Sequence, residues 1–250
     1  MKRIFRVTIL LFAFLFVCAC SNEEKIYNAK IVSSVSDVQY VVSDEAEEVL
    51  EANVMIFNNC YSSLLGFKYK ENNSYGSGVI YKSDENYYYV LTNNHVVSYD
   101  VNYDKQDLIL EDYYLNRYEA EVVYSDVSYD LAVIRFEKNI DLAVLNINDD
   151  KISIRENVRS MGNPDSVKNV INDGEINCFS YVTLNNEKSK VDFEVIVHSA
   201  QISSGSSGGA LLDSNNNIIG ITFAGVFDNE GDFITGYAIP SYKIIEFLNK

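Results

Sequence analysis

The sequence predicts an all-β protein made of two antiparallel six-stranded barrels, with short helices before and after them. Twelve short segments rich in Val, Ile, Tyr, Phe and Thr are separated by turn signals and fall into two groups of six. Barrel 1 is expected over about residues 58–140 and barrel 2 over about residues 155–240. No internal repeat relates the halves, so the two-barrel prediction rests here on the number and spacing of strands.

The first 19 residues have the pattern of a signal peptide. A basic start, Met1–Arg6, precedes an apolar run over residues 7–19 that is too short for the roughly 20 residues needed to span a bilayer. The run leads into Val-Cys-Ala-Cys-Ser at residues 17–21, which resembles the lipobox of bacterial lipoproteins. Cys20 is therefore the predicted lipid anchor of an extracytoplasmic protein. The alternative is an ordinary secretory peptide that is cut nearby.

A polar segment connects this anchor to the folded domain. Residues 20–43 are acidic, with scattered Val and Ile but no clear period, which predicts a lipid-anchored tether with little fixed structure. Ser43 followed by acidic residues is typical of a helix N-terminus, so a short helix is expected through Ala52. The folded domain is then expected to span residues 44–250.

The strands of the two halves are predicted from alternation of apolar and polar residues. In the first half they lie near residues 60–69, 76–82, 87–92, 106–111, 118–125 and 131–137. In the second half they lie near residues 157–162, 174–183, 190–200, 208–213, 218–225 and 233–239. Pro240 then opens a last helix, Ser241 to Leu248.

A glycine-rich turn over residues 203–209 contains the candidate nucleophile, Ser207, directly before an apolar strand. Glycine at positions 205, 208 and 209 permits backbone dihedral angles that other residues avoid, so the amides of Gly205 and Ser207 are expected to point at one oxygen. Such a pair of donors is suited to an oxyanion hole. A Ser/Gly-rich surface turn is the alternative that composition alone favours.

A serine nucleophile needs a base and an acid that orients the base. The chain has two histidines, and His95 follows a β-rich run at a polar turn, whereas His198 lies on a strand nine residues before the serine and reads as a packed residue. Asp130, at the start of the apolar strand Leu-Ala-Val-Ile-Arg-Phe, is the candidate acid. The order His95, Asp130, Ser207 is that of a chymotrypsin-type triad.

Two other hydrolase arrangements fit less well. An α/β-hydrolase requires a histidine after the serine, and none follows Ser207. A subtilisin order, assembled from Asp130, His198 and Ser207, would require the nucleophile to open a helix. Residues 210–223 instead read as strand, Asn-rich turn and strand.

Taken together, these segments resemble the HtrA branch of the trypsin-like serine proteases over most of residues 45–250. The resemblance is carried by Gly76-Ser-Gly-Val-Ile-Tyr81, Val90-Leu-Thr-Asn-Asn-His95, Asp130-Leu-Ala-Val-Ile134, Met161-Gly-Asn-Pro164, Gly205-Ser-Ser-Gly-Gly-Ala210, Ile219-Gly-Ile221 and Gly236-Tyr-Ala-Ile-Pro240. Ser206 departs from the family, since asparagine is usual there, and we expect the chain to lack a PDZ domain.

The resemblance implies a serine endopeptidase that uses protein or peptide substrates and no cofactor. It also places the substrate pocket at Gln201, Thr222, Phe223 and Ala224, with Gln201 at the floor. A neutral floor and a wall strand without histidine disfavour basic and acidic substrate residues, which leaves an apolar, shallow slot for Val, Ala, Leu or Ile. The rival hypothesis is a catalytically silent binding or scaffold module on the same fold.

Charge and composition exclude other classes of function. The chain has 36 acidic and 20 basic residues and a net charge of −16, and residues 21–250 carry 17 basic and 36 acidic residues, a net charge of −19, which disfavours binding to nucleic acid and direct binding to anionic lipid headgroups. No His/Cys cluster has metal-ligand spacing, so no metal site is expected. Apart from Cys18 and Cys20, the cysteines are Cys60 and Cys178, one per half, and either a pair or two separate thiols is compatible with the sequence.

Overall fold

The structure is a computed structural model that describes residues 25–29, 38–42, 44–184 and 186–250. The chain divides into two units after Ser43, and each is described by itself. The predicted signal peptide and lipidation site, Cys20, lie outside the described residues, as does the predicted helix cap, Ser43. None of the helices within the described ranges combines the length and apolar character needed to cross a membrane.

The first unit contains two paired strands, β1 (Lys25–Ala29) and β2 (Val38–Val42). They are antiparallel, with Lys25 opposite Val42. The prediction of little fixed structure for the tether is therefore wrong for these two segments. The reason lies in their composition, because both segments carry the β-branched and aromatic residues that favour extended backbone.

In its described residues, 44–184 and 186–250, the second unit contains three α-helices, one 3-10 turn and thirteen strands. Its first half contains α1 (Asp44–Glu51), β3 (Asn53–Leu64), β4 (Phe67–Ser83), β5 (Tyr87–Thr92), α2 (Asn94–Val97), β6 (Lys105–Glu111), β7 (Arg117–Glu119), β8 (Glu121–Asp126) and β9 (Leu131–Glu137). Its second half contains β10 (Asn157–Gly162), a 3-10 turn (Pro164–Ser166), β11 (Val170–Thr183), β12 (Asp192–His198), β13 (Ala210–Leu212), β14 (Ile218–Phe227), β15 (Phe233–Pro240) and α3 (Ser241–Leu248).

The first half is a curled antiparallel sheet of seven strands in the order β7-β6-β3-β4-β5-β9-β8. The prediction of six strands differs in two places. The predicted strand near 118–125 is two strands, β7 and β8, separated at Ala120. The predicted strand near 60–69 contains a hairpin turn at Leu65 and Gly66, both at positive φ, so that β3 and β4 are a long hairpin.

The second half is a closed six-stranded barrel, as predicted, and its strands lie in the order β10-β11-β12-β15-β14-β13. Its interior is filled by aliphatic side chains from alternate positions of these strands and the segment before them: Ile152, Val158, Ile176, Ile196, Ala200, Leu211, Ile219 and Ala238. Burying an Ile or Leu side chain contributes about 1.5–3 kcal/mol. The predicted all-β class and the helix α3 are confirmed.

Polar contacts join the first sheet to the barrel. Asn163, after β10, donates through Nδ2 to the Val54 carbonyl at 3.0 Å and accepts at Oδ1 from Asn53 Nδ2 at 3.0 Å. The buried carboxylate of Glu111, on β6, meets Arg117 on one side and Lys168 of the second half on the other. These contacts fix how the first sheet and the barrel face each other.

The two cysteines of the folded unit are separate thiols. Cys60 is buried on β3, and Cys178 is exposed on β11. The structure therefore favours separate thiols over a Cys60–Cys178 disulfide, although only one of the two is buried.

Candidate active site

His95 lies in the first turn after a buried strand. β5 ends at Thr92, and the four-residue helix α2 places Val96 and Val97 in the core while the His95 side chain keeps 29% of its surface exposed. The imidazole is therefore held by its buried neighbours but is open to solvent and to a substrate.

Both carboxylate oxygens of Asp130 contact His95. Its Oδ2 lies 2.7 Å from His95 Nδ1, and its Oδ1 accepts the His95 backbone N–H at 2.9 Å. Asp130 is 1% exposed and has φ of +51°, a backbone angle that aspartate tolerates better than most residues. The carboxylate favours the tautomer that carries the proton on Nδ1, which leaves Nε2 free to act as a base.

Two further contacts support the backbone around Asp130. Asn93 Nδ2 donates to the Asp130 carbonyl at 2.9 Å. Tyr129, the residue before Asp130, donates its hydroxyl to Glu246 on α3 at 2.5 Å and packs against Phe247 with ring centroids 6.0 Å apart. The C-terminal helix thereby supports the strand start that carries the acid.

Ser207 lies in the loop before β13 and is tied to the first half of the domain through its backbone. The Ser207 carbonyl accepts the Ser77 N–H at 2.8 Å. A Cβ added at Gly76 would lie 2.7 Å from Val96 Cγ1 and 3.1 Å from the Ser207 oxygen, so Gly76 lets the serine loop and the His95 helix approach the same point of β4. The structure thus brings His95 and Asp130 into contact, and it brings the Ser207 backbone to the part of β4 that also faces Val96, the neighbour of His95.

The loop around Ser207 requires its glycines. Gly205 and Gly208 have φ of +92° and +86°, and an added Cβ would lie 2.3 Å from the Tyr75 ring at Gly205 and 2.1 Å from the Ser77 oxygen at Gly208. Within residues 44–184 and 186–250, the Gly205 and Ser207 amides donate to no other group. Both amides are therefore available to a ligand oxygen.

Ser206 has its own role in the turn, although asparagine is usual in the HtrA branch. Its N–H donates to the Ser203 carbonyl at 3.0 Å, and its hydroxyl accepts the Ser203 N–H at 3.1 Å. The side chain is 6% exposed. Serine is thus sufficient to close this turn.

Ser77 and Asp165, which were not predicted as site residues, donate hydrogen bonds to carbonyl groups of the loop. The Ser77 hydroxyl donates to the Gly205 carbonyl at 2.7 Å and accepts the Asn163 N–H at 2.8 Å. The Asp165 N–H donates to the Ser204 carbonyl at 2.6 Å, which fixes the peptide group that carries the Gly205 amide. Both contacts join segments far apart in the chain.

The predicted pocket residues lie on adjoining segments. The Thr222 backbone pairs with the nucleophile loop, accepting the Gly208 N–H at 2.8 Å and donating to the Gly209 carbonyl at 2.9 Å. Phe223 is 5% exposed, and its ring centroid lies 6.4 Å from that of Tyr237. Ala224 is half-buried.

The predicted floor residue, Gln201, has an exposed side chain, and its carbonyl accepts the Ser160 hydroxyl at 2.8 Å. Its neighbour Ile202 is buried beside Gly225 of the wall strand, where an added Cβ would lie 3.0 Å from Ile202 Cδ1. The floor segment and the wall strand β14 are therefore in contact.

His198 is a buried residue that packs inside the second half. It is fully buried on β12, and an added Cβ at Gly236 would lie 2.4 Å from its ring. Neither ring nitrogen has a hydrogen-bond partner of ordinary geometry in the described residues, and burial lowers the pKa of His198 to about 4, only partly opposed by the Ala200 backbone. The imidazole is neutral at pH 7.

This buried imidazole predicts a loss of stability in acid. The unfolded chain protonates His198 near its ordinary pKa of 6.5 and the folded chain only near 4, so the unfolded state binds more protons between these values. The contribution of His198 to the free energy of unfolding is therefore fully present above pH 6.5. It falls by about 3 kcal/mol as the pH drops towards 4. Urea unfolding of the protein and its His198→Leu variant at pH 7 and pH 4 measures the difference. An equal loss in both proteins would contradict the assignment.

Comparisons with known proteins agree with this architecture. The family model described as a trypsin-like peptidase domain matches residues 76–221. The periplasmic serine endoprotease DegP of Escherichia coli K12 is 32% identical over 171 residues, covering 68% of this chain and 34% of DegP. The serine protease Do-like HtrA of Lactococcus lactis is 32% identical over 186 residues, covering 71% of this chain and 44% of that protein. The chain thus spans a third to just under half of such curated relatives.

A solved structure shares the fold. The active form of the Rv3671c protease of M. tuberculosis superposes with a TM-score of 0.64 at 20% identity, covering 82% of this chain and 83% of that one. The resemblance to the HtrA branch is confirmed by the curated relatives. The chain belongs to the family of trypsin-like peptidase domains.

Proposed function

We propose that this protein is a serine endopeptidase that hydrolyses peptide bonds through His95, Asp130 and Ser207. The observation that carries the proposal is the His95 imidazole, which is partly exposed to solvent and fixed at Nδ1 by a buried carboxylate at 2.7 Å. This arrangement suits a general base, because the buried carboxylate holds the proton on Nδ1 and leaves Nε2 free to accept one.

The residues divide the chemistry of acyl transfer among them. His95 Nε2 takes the Ser207 proton as the Oγ attacks the carbonyl carbon, and it returns that proton to the leaving amine. Asp130 stabilises the imidazolium that exists between these steps. The free amides of Gly205 and Ser207 donate to the oxyanion, and water then hydrolyses the acyl-enzyme by the reverse sequence. No step requires a cofactor.

The rival function is a silent binding module on the same fold. The open amides of the nucleophile loop favour the enzyme, since two unpaired donors beside a serine are suited to stabilising an oxyanion. Incubation with a mixed peptide library separates the two functions. Cleavage that disappears on Ser207→Ala supports the peptidase, and binding without cleavage supports the module.

We propose that the substrate residue before the cut is a small or medium aliphatic one. Gln201 offers no charge at the predicted floor, and the predicted wall residues Phe223 and Ala224 are apolar, with Phe223 buried and Ala224 half-buried. Mass spectrometry of a digested peptide library is expected to show cuts after Val, Ala, Leu or Ile, with discrimination of about 1–3 kcal/mol per methylene. Gln201→Asp is expected to add cuts after Arg and Lys. Dominant cleavage after Arg, Lys or Glu in the unaltered protein would contradict the pocket assignment.

We propose an extracytoplasmic protein anchored by a lipid on Cys20, acting in the processing or quality control of envelope proteins. Support comes from the lipobox-like residues 17–21 and from DegP, a relative whose name describes it as periplasmic. Cys20→Ala is expected to block lipidation while leaving the peptidase activity of the folded domain intact. Detergent phase partitioning measures the anchor. A Cys20→Ala protein that is processed normally and still enters the detergent phase would contradict it.

A further inference from the structure

The β3–β4 hairpin ends in three exposed apolar residues, which we call the apolar tip: Leu64, Leu65 and Phe67. Their exposed fractions are 68%, 90% and 79%, respectively. Single exposed apolar residues are ordinary on protein surfaces, but three around one turn form a contiguous patch. The tip therefore holds in water a group of side chains whose transfer to an apolar environment is favourable.

The turn residue at the tip is unfavourable for a second reason. Leu65 and Gly66 are the two central residues of the turn, with φ of +49° and +85°. Turns with positive φ at both central positions favour Asn, Asp or Gly, and a leucine there meets steric conflict with its own backbone. The positive φ of Leu65 and the exposure of its side chain are both unfavourable in the free domain. Contact with an apolar partner would offset the cost of the exposure.

Behind the tip lies a group of basic and aromatic residues that we call the collar: Tyr61, Tyr69, Tyr103, Lys68, Lys70 and Lys105. Lys68 Nζ lies 3.9 Å from the Tyr61 ring centroid, and Lys70 Nζ lies 4.5 Å from that of Tyr103. Three lysines lie in this group, and the acidic residues Glu71, Asp104 and Asp107 are close to them in the sequence. Tyrosine and lysine are the residues that occupy the boundary between membrane and water.

The hairpin carries its tip clear of the sheet. The last pair between β3 and β6 joins Tyr61 to Lys105, and from Ser62 to Leu64 β3 pairs with β4. Three residues at about 3.4 Å each give a projection of about 10 Å, similar to the ~5–10 Å depth at which amphipathic elements lie in a membrane surface. This distance also exceeds the Debye length of about 8 Å at physiological salt, which weakens the repulsion between the acidic body and a surface at the tip.

We propose that the apolar tip inserts into the surface of a phospholipid bilayer, with the collar at the level of the headgroups. Leu64, Leu65 and Phe67 enter the acyl-chain boundary, the tyrosine hydroxyls stay among the headgroups, and the lysines face the phosphates. The whole-chain charge disfavours anionic surfaces, whereas residues 61–71 of the hairpin carry two lysines and one glutamate, a net charge of +1. The contact does not depend on the peptidase chemistry or on the lipid at Cys20, and it would orient the domain at the membrane.

The absence of tryptophan from the sequence allows a direct test. Phe67→Trp places a single fluorophore in the tip, and Tyr181→Trp places one at a residue that is 66% exposed on β11 of the barrel. Both full-length proteins are mixed with vesicles of phosphatidylcholine and phosphatidylglycerol that carry brominated acyl chains. We expect a blue-shifted, quenched emission from Phe67→Trp and an unchanged emission from Tyr181→Trp. Equal quenching of both, or of neither, would overturn the proposal.

A second substitution separates lipid insertion from other contacts. Leu65→Asn suits the turn and removes an apolar side chain, so in the Phe67→Trp protein it is expected to weaken insertion of the tip, measured by the bromine quenching, about tenfold and to leave the melting temperature equal or higher. Unchanged quenching would overturn the proposal. A blue shift that grows with protein concentration in the absence of vesicles would assign the tip to a second copy of the chain and would overturn it as well.

Discussion

Ser207→Ala is expected to lower kcat on a good peptide substrate by about a million-fold, and His95→Ala alone to cost nearly as much. The two residues act as one unit, because the hydroxyl is not a useful nucleophile unless the imidazole removes its proton. The free amides of Gly205 and Ser207 remain in both variants, so a small residual rate above that of water is expected. Steady-state kinetics with an active-site titration measure the loss.

Two variants serve as controls for this experiment. Ser214→Ala alters an exposed serine in the turn between β13 and β14, and His198→Leu alters the buried histidine. Both are expected to keep the activity of the unaltered protein at pH 7. Retention of activity in His95→Ala together with its loss in His198→Leu would show that the base has been assigned to the wrong histidine.

Asp130→Asn is expected to lower kcat by about ten thousand-fold. The amide preserves the size of the side chain, but its NH2 group would face His95 Nδ1 at the position where Oδ2 lies 2.7 Å away. The imidazole would then carry its proton on Nε2 and could not accept one from Ser207. Kinetics and thermal unfolding of the same preparation distinguish this chemical effect from misfolding.

Asp126→Asn is the matched control, because Asp126 precedes the same strand and pairs with Lys250 at 2.9 Å on the surface. Its activity is expected to be unchanged. A loss of activity in Asp130→Asn that is fully explained by a loss of folded protein would contradict a catalytic role for the carboxylate.

The fold was largely predictable because its evidence is local. Alternation of apolar and polar residues marks each strand of the barrel, and Pro240 followed by Ile244 and Phe247 on one face marks α3. The seventh strand of the first sheet and the hairpin turn at Leu65 were missed. A leucine gives no turn signal, since the positions of such turns are normally recognised by Asn, Asp or Gly.

The candidate site was predictable only where chemistry restricts residue types. With two histidines in the chain, His95 could be selected by position, and Ser207 by its glycines. Ser77 and Asn163 could not be found in this way, because a serine and an asparagine are common and their contact spans 86 residues. Such positioning contacts depend on how the two halves meet, which local periodicity does not encode.

Labelling of the purified protein with a fluorophosphonate, followed by mapping of the adduct by mass spectrometry, tests the central claim most directly. The reagent requires a serine activated by a base and an oxyanion hole, so it probes the hydroxyl of Ser207, the imidazole of His95 and the amide of Gly205 together. The account predicts a single adduct on Ser207 that is lost in His95→Ala and retained in Ser214→Ala. An adduct on another serine, or an inert protein that still cleaves peptides, would contradict it.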